Sequence, residues 1–527
     1  MRSDAEFADV KRFILLVKIL RRGRISPART AGTGRLAMMN AAEMTCAIRA
    51  PTAEAVLASG DGKAMPDRRR RVLLIAEAAN PDWPSVPLVG WNLSRAIAQR
   101  VDALIVTQVR NRSAFLREGL IEGEDFIAVD NETTARLFHG IGEILRGGDN
   151  KAWTLVTALS SLAYYSFERE LWRKLKDRIR AGEFALVHRI TPLSPTSQSL
   201  LARKLSKINL PFVIGPLNGG IAWPRGFSEV RSREGDWLSF ARGLHRLLPG
   251  YRATRAKASA VIAGSRATLA ELPTACSDKS FLLAENAIDP VRFPFTQRPL
   301  RNDRLRVAFV GRLVPYKGAD ILLQAISSLE ARADVDVTIV GDGPQRPELE
   351  ALVRVLKLES QVRFAGWVAQ DRLALELSDC DLLALPSIRE FGGGVVVEAM
   401  ALGLVPLVAN YGGPPELIDG ASGLAIDFSD RGSLRAGFTA ALEGLLADRA
   451  AISAMSREAG RRARAYFTWD AKAEQILAIY DWVCGDRSKP RFSIDSEQGQ
   501  MAAKLTKSKY HEFLNNRGQN YPKVVSR

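Results

Sequence analysis

The sequence predicts an α/β protein built from two tandem, doubly wound parallel-sheet domains, and three observations predict it. Short apolar runs recur along the chain with helical stretches between them, the rhythm of βαβ units whose sheets are covered on both faces. The series runs twice, on either side of a proline-punctuated break at residues 290–299. Glycine-rich loops follow strand ends in the second series, where doubly wound sheets hold their ligands.

The first series opens at 72–76 (VLLIA), directly after four arginines. A loop at 80–90 with three prolines follows, then a helix over 91–99 and strands at 103–107 and 126–129. Helical segments dominate 134–181. Strands at 184–187, ending at His188 and Arg189, then at 211–215, 260–265 and 281–283 complete the series. In the second series strands are expected at 307–310, 335–340, 362–364, 381–386, 405–408 and 424–426, with helices between them. A last helix over 471–483 follows Thr468 and Asp470, both suited to capping it. Between 226 and 257, apolar residues at three-and-four spacing alternate with Arg242, Arg246, Arg252 and Arg255. Such a stripe packs on a core or rests on a membrane surface, and both readings stand.

At 527 residues the chain is long enough for two or three domains with sizeable cores. The net charge of +16 lies mostly in the ends: residues 1–71 hold 15 Lys and Arg against 7 Asp and Glu, and residues 485–527 hold 9 against 4. A nucleic-acid partner is therefore not expected of the body. Residues 1–70 lack sustained periodicity and read as a disordered or spurious extension, with Met65 as the expected translation start. Cys46, Cys276, Cys380 and Cys484 show no metal or disulfide spacing, and a reducing cytoplasm is expected. Neither a secretory signal nor a spanning helix is read: the run 13–20 is short, is interrupted by Lys18 and has acidic residues before it.

The chemistry gathers in the second series. Residues 311–318 (GRLVPYKG) set Arg312 and Lys317 beside glycines, a guanidinium for bidentate grip on phosphate oxygens and an ammonium as a point charge. A turn with Gly341 and Gly343 follows the next strand. The stretch 390–398 (EFGGGVVVE) runs from strand to helix, so that the backbone N–H groups of Gly392, Gly393 and Gly394 and the helix end suit a phosphate, with Glu390 and Glu398 bracketing them. Residues 411–416 (YGGPPE) again set glycines and a carboxylate after a strand.

These pieces, in this order, resemble the retaining GT-B glycosyltransferases with a Glu-x7-Glu motif, the family 4-like or "group 1" class. The likeness covers about residues 72–483 and is strongest over 307–423. It implies an acceptor domain over 71–295, a donor domain over 296–466, a cross-over helix over 467–484 returning to the first domain, and a basic tail over 485–527. It further implies a metal-independent transfer with no cofactor, from a UDP- or GDP-sugar to a saccharide or lipid-linked acceptor. By the same resemblance Arg312 and Lys317 bind the donor diphosphate, Glu390 the sugar hydroxyls and Glu398 the ribose. Gly341, Gly343, Phe391 and Gly392 to Gly394 line the donor. His188 stands beside the reacting sugar, Gly90 near the phosphates in the loop before the first helix, and Gly219 and Gly220 in another cleft loop. Three departures stand out: the aromatic after Glu390 comes one place early, at Phe391, Gly90 has no paired glycine in the first-domain loop, and Ala287 replaces a glycine. Cell-surface polysaccharide or glycolipid synthesis at the inner face of a membrane is the implied setting. A non-catalytic scaffold, or a GT-B phosphorylase or epimerase, is the alternative.

Overall fold

The computed structural model describes residues 71–132, 153–219, 221–224, 226–233, 246, 250–297 and 303–492. The N-terminal extension, the basic tail beyond 492, most of the amphipathic stretch and Gly220 lie outside the described residues.

Two wholly parallel sheets form. The first contains β1 (Val72–Ala76), β2 (Ala103–Gln108), β3 (Phe126–Val129), β4 (Leu186–Thr191), β5 (Phe212–Leu217), β6 (Ala260–Ala263) and β7 (Ser280–Leu282). Its strand order is β3-β2-β1-β4-β5-β6-β7. The second contains β8 (Leu305–Val310), β9 (Val335–Val340), β10 (Val362–Gly366), β11 (Leu382–Leu385), β12 (Val405–Ala409) and β13 (Leu424–Ile426), in the order β10-β9-β8-β11-β12-β13. Both are α/β doubly wound sheets, as expected, and the chain reverses direction across each sheet at its first strand. That reversal opens a crevice beyond the strand ends, between β1 and β4 and between β8 and β11.

Burial explains why the strands read so plainly. Every residue of β1 is buried, and so is every residue of β4, β11 and β12. A strand covered on both faces has no polar face to alternate with. Each fully buried Leu or Ile contributes about 1.5–3 kcal/mol.

The first sheet does not complete its own core. One of its faces is closed by Ala473, Ile476, Ile479 and Tyr480 of the last helix, Trp469–Val483, which packs along the helix Val86–Ala98. Thr468 caps this helix, its hydroxyl accepting from the Ala471 amide at 3.1 Å. Asp470 instead pairs with Arg100 at 3.0 Å, tying the helix start to the first domain. The expected cross-over helix is thus present.

The helix Val86–Ala98 begins earlier than the sequence reading had it. Pro87 sits in its first turn, where a missing N–H costs nothing. Among the described residues no helix is long and apolar enough to cross a membrane.

Candidate functional site

Three loops at the ends of β8, β9 and β11 converge. The loop after β8 carries Arg312, which is exposed, and then a single turn, Pro315–Lys317. The Lys317 ammonium meets the Glu390 carboxylate, each side chain less than a fifth exposed. Burial pulls the Lys317 pKa down, but the Glu390 charge and hydrogen bond, with Tyr316, together outweigh it, and the ammonium is held above its usual value. A partly desolvated cation and carboxylate in contact at a strand-end crevice is an arrangement suited to a ligand carrying both anionic and hydroxyl groups.

Gly341 and Gly343, after β9, pack on the first of these loops. A Cβ on Gly341 would lie 1.9 Å from the Gly311 carbonyl, and one on Gly343 2.5 Å from the Leu313 carbonyl. Leu313 N–H donates to the Asp342 carbonyl at 2.9 Å, knitting the two loops. These glycines let the β9 loop lie against the loop that carries Arg312 and Lys317.

The loop after β11 leads through Glu390 and Phe391 into the helix Gly394–Ala401. Gly393 takes a left-handed conformation at its start, with φ 67°, which only a residue without Cβ adopts cheaply. Gly392 packs on Glu285 and Asn286 of the segment between the sheets, a Cβ there lying 2.0 Å from Glu285 Oε1, and Gly394 faces Asn286. The Glu390 carbonyl accepts from Gly413 N–H at 3.1 Å, so the loop after β12 braces it from behind. Glu398, one turn into the helix, accepts from Gln370 Nε2 at 3.2 Å, and burial pushes its carboxyl up to about 7.

The first domain contributes carboxylate contacts that the sequence reading missed. Glu285, just beyond β7, is buried; its Oε1 accepts from Asn218 Nδ2, while its Oε2 has no hydrogen-bond partner among the described residues. Burial raises its pKa, opposed by the Asn218 bond. Lys472 of the last helix, equally buried, is pushed down to about 7 by burial, with Glu285 opposing. Both oxygens of Glu416 accept from the Arg266 amide at 2.9 Å, joining the loop after β12 to the first domain, and burial raises Glu416 to about 7. The one signal for Glu285 was an acidic residue closing an apolar run at 281–284.

Two expected residues are not brought to this cluster. His188 is not at a strand end: β4 runs on to Thr191, and the imidazole is fully buried. The Gly215 carbonyl, 2.7 Å from Nε2, can only accept, so Nε2 carries the proton and Nδ1 accepts from the Tyr480 hydroxyl at 2.6 Å. Burial lowers its pKa to about 4, so the ring is neutral, with both nitrogens committed inside the protein. Gly90 lies inside the Val86–Ala98 helix, not in the loop before it. A Cβ there would meet the Ala78 carbonyl at 2.1 Å, so Gly90 serves the approach of this helix to the β1 loop. Asp381, immediately before β11, accepts from the Arg306 amide at 2.9 Å.

Comparison with known proteins fits this geometry. Residues 293–460 match the family model "Glycosyl transferases group 1". A D-inositol 3-phosphate glycosyltransferase of Rhodococcus opacus (strain B4) is 36% identical over 183 residues, 33% of this chain and 40% of that protein. The chain thus spans well under two thirds of the length of the curated relative it matches. The sucrose-phosphate synthase of Thermosynechococcus elongatus superposes with a TM-score of 0.53 at 19% identity, over 80% of this chain and 100% of that one. The Anabaena protein HepE in complex with UDP gives 0.50 at 18%, over 78% and 100%. The group 1 resemblance read from the motifs is met over the second domain, and the two-sheet architecture is the GT-B fold.

Proposed function

We propose, from a second domain that matches group 1 glycosyl transferases, that the chain is a retaining glycosyltransferase. It moves a sugar from a nucleoside diphosphate sugar, UDP- or GDP-linked, to an acceptor hydroxyl on a saccharide or lipid-linked glycan. The observation that carries the reading is the Lys317–Glu390 contact at the crevice beyond β8 and β11.

In this reading Lys317 and Arg312 neutralise the diphosphate, and Glu390 orients the sugar hydroxyls. Glu398, with Gln370 beside it, receives the ribose. Retention requires the acceptor to enter on the face from which the diphosphate leaves, so the departing phosphate oxygen takes the acceptor proton. The new glycosidic C–O bond forms as the bond to phosphate breaks. The protein then mainly stabilises charge on the leaving group and holds both partners in line. Cations and the Gly394–Ala401 helix start supply that stabilisation, and a metal-independent transfer is the form proposed. The acceptor side falls to the first domain, and the setting is surface polysaccharide or glycolipid synthesis at the inner face of a membrane.

The test is a panel of nucleotide sugars assayed for nucleoside diphosphate release, starting with UDP-sugars because the HepE structure holds UDP. Release with one donor, lost in Glu390→Ala, supports the reading. Release unchanged in that variant overturns the site assignment. Consumption of inorganic phosphate, or interconversion of the donor without acceptor, would identify a phosphorylase or an epimerase.

A further inference from the structure

Between β5 and β6 the chain leaves the first domain. Phe227 and Val230 are buried not there but in the core of the second, among residues of the helices Ala319–Ser327 and Arg431–Ala447. The Phe227 ring meets Phe428 edge-on at 5.6 Å. The backbone at Gly226 passes so close to Ser429 that a Cβ would lie 2.7 Å from its carbonyl. Residues 221–224 and 226–230 therefore act as a strap from one domain anchored in the other.

What the strap carries lies on the donor loop. The Arg389 guanidinium sits 4.6 Å from the centre of the Trp223 ring and 5.7 Å from that of Phe391. Glu390 stands between Arg389 and Phe391 in the chain, so fixing both neighbours fixes the backbone from which its carboxylate projects. The strap also holds the loop behind: Tyr411 O–H donates to the Ala222 carbonyl at 2.9 Å, and Ile221 packs on Gly412. That same loop, through Gly413, binds the Glu390 carbonyl. The early aromatic at Phe391, a departure in the motif, has its place here as the second ring against Arg389.

We propose that Trp223 is a positioning residue for the donor loop: carried across on the strap, it sets the Arg389–Glu390–Phe391 turn, so that the first domain helps to orient the donor sugar. This rests on the glycosyltransferase reading for what the turn binds, but not for the coupling itself.

The experiment uses the full chain with Trp223→Ala and Trp223→Phe. Three quantities are read: KM for the sugar nucleotide, Kd for the nucleoside diphosphate alone, and amide hydrogen exchange over residues 389–394. For Trp223→Ala the expected result is faster exchange in that loop and a KM raised about tenfold, the size of a half-buried cation–π contact. Kd for the nucleoside diphosphate, which lacks the sugar, stays within about twofold. Trp223→Phe, which keeps a ring, restores most of both changes. Unchanged exchange overturns the proposal, and so does a parallel loss of diphosphate and sugar-nucleotide binding, the mark of a merely structural role. If the wild type released no diphosphate from any donor, the glycosyltransferase reading would fall, and exchange with Trp223→Ala would still decide the strap.

Discussion

The two sheets wind in the same order from their first strands outward, yet the two histidine-or-carboxylate positions singled out at their centres meet opposite fates. In the second domain Glu390 and Lys317 meet in a partly open crevice, on loops released by glycines. In the first, His188 is sealed between β5 and the last helix, neutral and fully hydrogen-bonded. One topology can thus set a central polar residue at a partly open crevice or in its own interior. The neighbours that cover the strand end decide which.

The largest expected effect tests the open side. Lys317→Ala or Glu390→Ala should lower nucleoside diphosphate release about 10²–10³-fold, as removal of a preorganised charge at a reacting group does. Circular dichroism should show the fold retained. His188→Ala is the counter-test, and a comparable loss in it with stability unchanged would erase the contrast.

Smaller is the effect on the sealed side. Tyr480→Phe leaves His188 Nδ1 buried without its donor, which should cost about 1–3 kcal/mol in denaturant unfolding. Turnover per folded molecule should barely move.

The smallest effect is a pH dependence. Glu398 has a folded pKa near 7 against an unfolded value near 4.5, because burial disfavours its charge. The folded state therefore binds more protons in that window, and stability is lost as pH rises from about 4.5 through 7. Glu398→Gln should flatten this slope by about 1 kcal/mol between pH 6 and pH 8, read from urea midpoints at those two pH values.

What was legible in the sequence was what is encoded locally. Both sheets announced themselves because strands buried on two faces are unbroken apolar runs, as in β1 and β11. The spacing from Glu390 to Glu398 is a property of one loop and one helix. Gly90 was misplaced because prolines were read as loop, although Pro87 opens the helix. His188 and Glu285 were beyond reach for a different reason. Their environments are made by Tyr480, Asn218 and Lys472, partners distant in the chain, and no periodicity records such a meeting. Trp223 is the extreme case, a first-domain residue whose neighbours, Arg389 and Phe391, belong to the other sheet.

The last helix also has a consequence for how the chain is made. The ribosome finishes β7 long before it reaches Trp469, so the nascent first domain emerges with the face destined for Ala473, Ile476, Ile479 and Tyr480 still bare. An apolar surface left waiting in this way is a binding site for chaperones and a risk of misassembly. Only synthesis of the final helix covers it, which makes the intact C-terminal segment a checkpoint on the biogenesis of the N-terminal half.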